Sequence, residues 1–337
     1  MTKVVVPDDS PPVLAASPAF HALCERAEAV YFDTLPGSPD RLIERVRDAE
    51  VVINIRSSSK FGEEVFRHTP GLRLLSLWGT GTDNVDLAAA VRHGITVTNT
   101  PGVSAFSVAE HTLALMLAVA RGIPAQDTAV RAGRWPRGQG IELRGKTIGV
   151  IGLGAIGRRF AELCRAIGMR VIAWTMRPNP APGFELVEFE PLLRTSDVVS
   201  IHLRLSPQTE GLIGERELRL MKKTAILLNT ARGAIVDEPS LIDALLTHRI
   251  AGAGLDVFSN EPLPAGHALT KLDNVALTPH LAGITPEALE AGLQMAVTNV
   301  WSFLEGRPVN VIVAPHTSRS PEFAPGGEPD AHPKIRS

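Results

Sequence analysis

Features that would point to a specialised environment are scarce in this chain of 337 residues. Its two cysteines, Cys24 and Cys164, are too few and too far apart for a disulfide framework or a metal site, and they predict free thiols in a reducing compartment. Lysine and arginine total 34 against 36 acidic residues, so no positive excess points to nucleic acid or an acidic membrane surface. The longest apolar run, residues 113–120, is too short to span a bilayer, and no secretory signal is visible at the start. We therefore expect a cytoplasmic protein that binds no metal.

The composition is that of an ordinary globular protein, with 44% hydrophobic and 21% charged residues, and the length suggests two domains. Apolar segments alternate with amphipathic ones in two series, which is typical of βαβ units and predicts an α/β fold with two doubly wound parallel sheets. The strands of the first series are predicted at residues 4–6, 29–32, 51–55, 72–77 and 95–98. Those of the second are predicted at residues 147–151, 170–174, 198–201, 225–228, 254–257 and 275–278.

Two long helices, predicted at residues 104–121 and 286–305, flank the second series. The first is apolar almost all round, as expected of a helix buried on several sides. We interpret both as crossings between domains, with a last strand at residues 310–313 returning to the first sheet. The first domain is then discontinuous, formed by residues 1–101 and 287–314, and residues 102–286 form the second domain. Residues 315–337 are rich in proline, glycine and charge, which predicts a disordered tail.

Gly152, Gly154 and Gly157 form a G-x-G-x-x-G turn, with Ala155 and Ile156 between the last two glycines. The turn follows a buried-strand sequence and precedes a helical pattern predicted over residues 158–168, which is the context that a dinucleotide fingerprint requires. Such glycines let the backbone approach a pyrophosphate at the helix N-terminus.

The end of the next strand departs from the usual NAD pattern. An acidic residue that binds the ribose hydroxyls is expected about 20 residues after the glycines, but Thr175 stands there and Arg177 follows. Loss of the carboxylate removes repulsion against a 2′-phosphate, and a guanidinium can bind that phosphate. The cofactor is therefore NADP or NAD, with NADP favoured.

Three polar residues, Arg232, Glu261 and His280, each follow a strand-like run in the second series. Histidine can give or take a proton near neutral pH, a neighbouring carboxylate fixes its tautomer, and a planar guanidinium matches a carboxylate bidentately. Together with a dinucleotide site, this set predicts hydride transfer to a 2-keto acid.

The chain resembles the D-isomer-specific 2-hydroxyacid dehydrogenases, which include phosphoglycerate dehydrogenases and hydroxypyruvate/glyoxylate reductases. The resemblance covers about residues 51–313 and rests on several motifs in one order. They are found at residues 55–60, 78–86, 99–101, 108–111, 152–157, 229–233, 255–258, 261–262 and 279–280.

The resemblance implies two parallel α/β domains, a Rossmann domain and a flavodoxin-like substrate domain, assembled as a homodimer. It implies that His280 exchanges a proton with the substrate oxygen, that Glu261 holds the imidazole, and that Arg232 binds the substrate carboxylate and carbonyl. The implied substrate site also includes Arg56, Ser57, Gly79 and Gly81. The implied cofactor contacts are Gly152, Gly154, Ala155, Ile156, Gly157, Thr175, Arg177, Thr230, Ala231, Asp256, His280 and Gly283.

Other functions stay open at this point. Transcriptional corepressors that sense dinucleotides resemble this family, and turnover with glyoxylate or hydroxypyruvate would separate the two functions. Formate dehydrogenases resemble a variant of this family in which a glutamine partners the histidine. Glu261 argues against a formate dehydrogenase. A phosphoglycerate dehydrogenase is a further alternative, because Arg56 and Lys60 could bind a phosphate.

Overall fold

The computed structural model describes residues 1–176 and 183–315, which form two α/β units around separate sheets. The described strands of the first sheet are β1 (Lys3–Val6), β2 (Glu28–Tyr31), β3 (Val51–Asn54), β4 (Leu74–Leu77), β5 (Thr96–Thr98) and β13 (Val311–Val313). They lie in the order β13–β5–β4–β3–β1–β2. Apart from β13, this is the 2-1-3-4-5 order of flavodoxin-like sheets.

The second sheet contains β6 (Thr147–Ile151), β7 (Arg170–Trp174), β8 (Glu185–Leu186), β9 (Val198–Ile201), β10 (Ile226–Asn229), β11 (Gly252–Leu255) and β12 (Val275–Leu277). Their order is β12–β11–β10–β9–β6–β7–β8, and every pairing is parallel. This is the dinucleotide-binding order with one further strand, and it reverses direction between β6 and β9. The predicted fold class is confirmed.

Helices cover the faces of both sheets. The described α-helices are α1 (Pro18–Cys24), α2 (Pro39–Val46), α3 (Glu63–Arg67), α4 (Leu87–Arg92), α5 (Ala105–Ala120), α6 (Ile123–Arg131), α7 (Ala155–Ala166), α8 (Phe189–Thr195), α9 (Glu215–Leu220), α10 (Glu238–Leu246) and α11 (Pro286–Leu304). Short 3₁₀ turns occupy Leu14–Ala16, Gly233–Ile235 and Ala268–Lys271. Because helices lie on both faces, every residue of β3, β4, β9, β10 and β11 is buried, which explains their continuous apolar sequences.

The two long helices belong to different sheets. Helix α5 packs on α7 and on β10, β11 and β12, whereas α11 packs on α1 and β4. Strand β13 follows α11 and pairs with β5, so the chain does return to the first sheet after the second. The exact domain boundaries at residues 101 and 287 stay a prediction.

The structure differs from the sequence prediction at several elements. Strand β13 is antiparallel to β5, although an all-parallel sheet was expected. The short edge strand β8 was not predicted, because two exposed residues carry no periodic signal. Helix α7 begins at Ala155 rather than at residue 158, since Gly154 in an extended conformation already caps it. Helix α1 was also missed, although Ser17 caps it by accepting from the Phe20 N–H.

By length and composition, no single helix of the described residues could cross a membrane. Helices α5 and α6 would pass that test only as a pair, and they are bent by 64°.

Candidate active site

A cavity of about 570 Å³ lies where the carboxyl ends of the two sheets face each other. Ligands bind in open α/β sheets at this edge, where loops leave the strands. Residues from both sheets line the cavity, including all five predicted substrate contacts: Arg56, Ser57, Gly79, Gly81 and Arg232. The cavity is therefore the place where the predicted substrate and cofactor residues meet.

His280 and Glu261 form a hydrogen-bonded pair at this edge. Nδ1 of His280 lies 2.6 Å from Oε2 of Glu261, and Oε1 accepts the N–H of Phe258 at 3.0 Å. Burial alone would raise the pKa of Glu261, but the hydrogen bonds from His280 and Phe258 hold that pKa below its ordinary value. An ionised carboxylate only accepts, so Nδ1 carries the proton of this bond. The other ring nitrogen, Nε2, is left to meet a ligand.

The backbone of His280 is held in an unusual conformation. Its φ is 52°, a left-handed value that non-glycine residues rarely adopt, and its N–H donates to the carbonyl of Asp256 at 2.7 Å. The turn that follows β12 thus fixes the imidazole relative to the end of β11. Strained backbone of this kind is common where a side chain must be aimed at a ligand.

Arg232 lies just after β10 and reaches across the cavity. Its Nε donates to both carboxylate oxygens of Asp83, at 3.1 and 3.2 Å, and its Nη2 donates to Oδ1 at 3.1 Å. Its Nη1 donates to the carbonyl of Ala231 at 2.8 Å. Asp83 belongs to the loop after β4, so this ion pair joins the loops of the two sheets.

The first sheet contributes mainly backbone to the cavity. The loop after β4 contains Gly79, whose φ is 109° and whose N–H donates to the hydroxyl of Thr100 at 2.6 Å. The loop after β3, which carries Arg56 and Ser57, is fixed by hydrogen bonds to the buried side chain of Asp8. That carboxylate accepts the N–H groups of Ile55 and Arg56 at 3.0 and 3.2 Å. Buried polar groups of this kind fix a loop because leaving them unpaired is costly.

The glycine turn after β6 has the close contacts that the fingerprint predicts. Gly152 has φ 99°, and a Cβ there would overlap the carbonyl of His202. A Cβ on Gly157 would overlap the carbonyl of Gly152, so helix and turn touch. Gly154 faces open space and, with Ala155 and Ile156, lines the cavity. This cradle at the start of α7 fits the pyrophosphate of a dinucleotide.

Four further predicted cofactor residues, Thr230, Ala231, Asp256 and Gly283, line the same cavity. Asp256 is buried and accepts the N–H groups of Leu281 and Ala282 at 3.0 and 2.9 Å and the hydroxyl of Thr278 at 2.6 Å. Asp256 therefore also fixes the segments on either side of His280.

One predicted cofactor residue, Thr175, directly follows β7. Strand β7 pairs with β6, and the N–H of Gly152 donates to the carbonyl of Trp174 at 2.8 Å, so Thr175 lies beside the start of the glycine turn. Arg177 lies outside the described residues. The NADP preference inferred from this pair stays a prediction.

Several cavity residues were not predicted from the sequence. Asp83 lies within the motif at residues 78–86, but its pairing with Arg232 joins positions 149 residues apart, which no local pattern reveals. Ser10 and Leu35 also line the cavity, from loops after β1 and β2. The only sequence feature that could have indicated these two residues is that each loop follows a strand whose carboxyl end lies at the ligand-binding edge of the sheet.

Two other histidines have partners that explain them. His202 is half-buried and lines the cavity; its ring lies 5.1 Å from that of Phe160, its Nε2 lies 2.9 Å from Oγ of Ser200, and burial lowers its pKa to about 3. His111 on α5 shares a 2.9 Å hydrogen bond with Thr278 and lies 3.6 Å from Asp256, so it supports the loop before His280. Residues 1–176 and 183–315 contain no group of three or more His, Cys, Asp or Glu side chains that could hold a metal ion.

Comparison with known proteins adds independent findings. A model of the D-isomer specific 2-hydroxyacid dehydrogenase NAD binding domain matches residues 113–282. A glyoxylate reductase of Thermococcus litoralis is 40% identical over 293 residues, which cover 82% of this chain and 88% of that protein. A D-3-phosphoglycerate dehydrogenase of Archaeoglobus fulgidus is 42% identical over 279 residues, but these cover 81% of this chain and only 53% of that longer protein.

Solved structures show the same similarity over nearly the whole chain. The TT0316 protein of Thermus thermophilus superposes with a TM-score of 0.83 at 38% identity, over 93% of this chain and all (100%) of that one. An acyclic imino acid reductase in complex with NADPH and D-Arg superposes with a TM-score of 0.84 at 32% identity, over 92% of this chain and 100% of that one.

Proposed function

Because the chain belongs to the D-isomer specific 2-hydroxyacid dehydrogenase family, we propose that it reduces a small 2-keto acid such as glyoxylate or hydroxypyruvate, with NADPH preferred over NADH. The enzyme class, an NAD(P)-dependent 2-hydroxyacid oxidoreductase, follows from the family. The substrate and the cofactor preference are the proposal. The observation that carries it is that His280, which is hydrogen-bonded to Glu261, and Arg232 line one cavity together with Gly154 of the glycine turn.

The roles of the side chains follow from their geometry. The nicotinamide of a bound cofactor supplies the hydride. We assign Arg232, with backbone N–H groups near Ser57, Gly79 and Gly81, to the substrate carboxylate. We assign Nε2 of His280 to the carbonyl oxygen, to which it gives a proton as the alcohol forms. Glu261 holds the imidazole through Nδ1 and stabilises its charged form.

The proposed cofactor contacts fall into three groups. We assign the cradle of Gly152, Gly154, Ala155, Ile156 and Gly157 to the pyrophosphate. We assign Thr230, Ala231, Asp256 and Gly283, which line the cavity together with His280, to the nicotinamide. We assign Thr175 and Arg177 to the adenosine 2′-phosphate.

Initial rates test this proposal most simply. We expect measurable turnover of glyoxylate or hydroxypyruvate, and kcat/KM about tenfold or more higher with NADPH than with NADH, since a charge-assisted contact contributes about 1.5–3 kcal/mol. Arg177→Ala should weaken NADPH binding alone, and Thr175→Asp should reverse the preference. No turnover of any small 2-keto acid would reject the substrate assignment, and a preference for NADH in the wild type would reject the NADP assignment.

A phosphorylated substrate is the second candidate. Arg56 lines the cavity, and its Nε is buried without a hydrogen-bond partner among the described residues, while its Nη2 donates to the carbonyl of Pro11 at 2.8 Å. A guanidinium held this way favours an anionic substituent on the substrate. A kcat/KM for 3-phosphohydroxypyruvate above that for hydroxypyruvate would favour this candidate.

We also propose a homodimer formed around α5. Phe106 and Leu117 on α5 are 62% and 39% exposed, and Ile123 and Val130 on α6 are about half exposed. Exposed apolar side chains in this number commonly mark a protein–protein interface. Light scattering at micromolar concentration should give twice the mass of the chain, and a monomeric mass would reject the dimer. The cytoplasmic location stays a prediction from the sequence.

A further inference from the structure

The Arg232 guanidinium is already engaged on two sides before any substrate is considered. A guanidinium has five N–H donors in a fixed plane. The side edge, formed by Nε and Nη2, faces the Asp83 carboxylate through three contacts of 3.1 to 3.2 Å. One N–H of Nη1 donates to the carbonyl of Ala231.

This count of donors leaves one edge for a ligand. The Nε–H, one Nη2–H and one Nη1–H are taken, so one N–H on each of Nη1 and Nη2 remains. The Nη2–H that remains lies on the end edge of the guanidinium, which Nη1 and Nη2 share and which is its second bidentate edge. Asp83 therefore determines which edge of Arg232 a substrate can meet.

The loop that carries Asp83 is itself fixed. The next residue, Asn84, is buried, and its Nδ2 donates to Oδ1 of Asn54 at 2.8 Å and to the carbonyl of Ser59 at 2.9 Å. On the other side, Nδ2 of Asn99 donates to the carbonyl of Thr80 at 3.0 Å. Asp83 is thus a rigid support rather than a mobile surface charge.

Glycine at position 81 allows this arrangement. A Cβ there would overlap Nη2 of Arg232 and lie 2.9 Å from Oδ1 of Asp83. The loop after β4 therefore contacts the guanidinium with backbone at Gly81 and with a carboxylate at Asp83. Burial would raise the pKa of Asp83, but the charge and hydrogen bonds of Arg232 keep that pKa below its ordinary value, so the pair is ionised.

We propose that Asp83 is a positioning residue for substrate recognition, which holds the side edge of Arg232 across the cleft and presents its end edge to the carboxylate of the 2-keto acid. This inference rests on the proposed function. It assigns to Asp83 a role that its charge alone would oppose, because a carboxylate beside the site repels an anionic substrate.

These opposing effects make the role testable. If Asp83 were only a neighbouring negative charge, Asp83→Asn would tighten the binding of a keto-acid analogue. If it positions Arg232, the same variant should weaken that binding, because the guanidinium becomes free to rotate. Asp83→Glu keeps the charge but moves the carboxylate by one methylene, and it should also weaken binding.

The measurement uses oxamate, an unreactive isostere of a 2-keto acid, with the full-length protein saturated with NADPH. We expect the oxamate dissociation constant to rise about tenfold in both Asp83 variants, with the dissociation constant of NADPH changed less than about twofold. Asp127→Asn is the matched control: Asp127 also pairs with an arginine, Arg131, at 2.8 Å, but on exposed α6. It should behave as wild type. An oxamate constant that is unchanged or lower in Asp83→Asn would overturn the proposal.

A double-mutant cycle separates positioning from a general structural effect. Lysine at position 232 has no fork to orient, so in the Arg232→Lys background Asp83→Asn should change oxamate binding by less than about threefold. A tenfold effect that persists in that background would overturn the proposal. If Arg232→Lys itself binds oxamate like the wild type, the assignment of Arg232 to the substrate carboxylate in the proposed function is rejected. Rejection of the proposed function is thus distinguished from rejection of the positioning role of Asp83.

Discussion

The two sides of the cavity contribute different chemistry. The second sheet supplies the side chains that can exchange a proton or bind an anion. Arg232 follows β10, Glu261 follows β11 and His280 follows β12. The first sheet supplies glycine-rich loops that are fixed by hydrogen bonds to buried polar groups. One of these loops carries Asp83, which pairs with Arg232. The comparison teaches that the polar side chains of the proposed mechanism lie on one side of the cavity, whereas the orientation of one of them, Arg232, depends on the other side.

The largest effect should come from the second sheet. His280→Ala removes the proposed proton donor, and we expect keto-acid reduction to fall by about two to four decades, the usual range for a general acid. The glycine turn is untouched, so the NADPH dissociation constant, measured by fluorescence, should stay within about twofold. Turnover equal to wild type would remove His280 from the mechanism.

Glu261→Gln should produce an intermediate effect with a distinct pH signature. In the proposed mechanism the carboxylate stabilises the charged imidazole, and reduction requires the protonated ring. Without the carboxylate, the fall in kcat/KM at high pH should begin at lower pH. A profile of kcat/KM against pH tests this, and an unmoved alkaline limb would show that Glu261 does not support His280 in this way.

A smaller effect is expected from the first sheet. Gly81→Ala would place a methyl group against Nη2 of Arg232, and the flexible side chain should shift to avoid it. We expect the keto-acid KM to rise about tenfold, the scale of a disturbed bidentate contact, with little change in NADPH binding. Gly62→Ala, where a Cβ meets nothing within 4 Å, is the control and should leave both constants unchanged. An unchanged KM in Gly81→Ala would show that the first-sheet loop does not constrain Arg232.

The same division explains what the sequence could predict. Buried parallel strands such as Val198–Ile201 have continuous apolar sequences, and the glycine turn stands in a βαβ context, so the sheets and the cofactor cradle were predictable. His280, Glu261 and Arg232 were predictable because each follows a strand, and the carboxyl ends of parallel strands meet at one edge.

The contacts across the cleft were not predictable in this way. The Asp83–Arg232 pair depends on how two separate sheets face each other, which periodicity does not encode. The support of the Arg56 loop by Asp8 likewise joins residues from two strands of the first sheet. The strand β13 was predicted, but its antiparallel direction was not, because three residues, Val311–Val313, carry no signal for direction.

The chirality of the product tests the central claim most directly. In the proposed mechanism Arg232 binds the carboxylate, His280 binds the carbonyl oxygen and the glycine turn holds the cofactor, so a fixed arrangement of these three groups would let the hydride reach only one face of the carbonyl carbon. We predict that NADPH-dependent reduction of hydroxypyruvate, or of pyruvate or phenylpyruvate where turnover is higher, yields the D-hydroxy acid alone on a chiral column. A racemic or L product would contradict the fixed arrangement of these three groups.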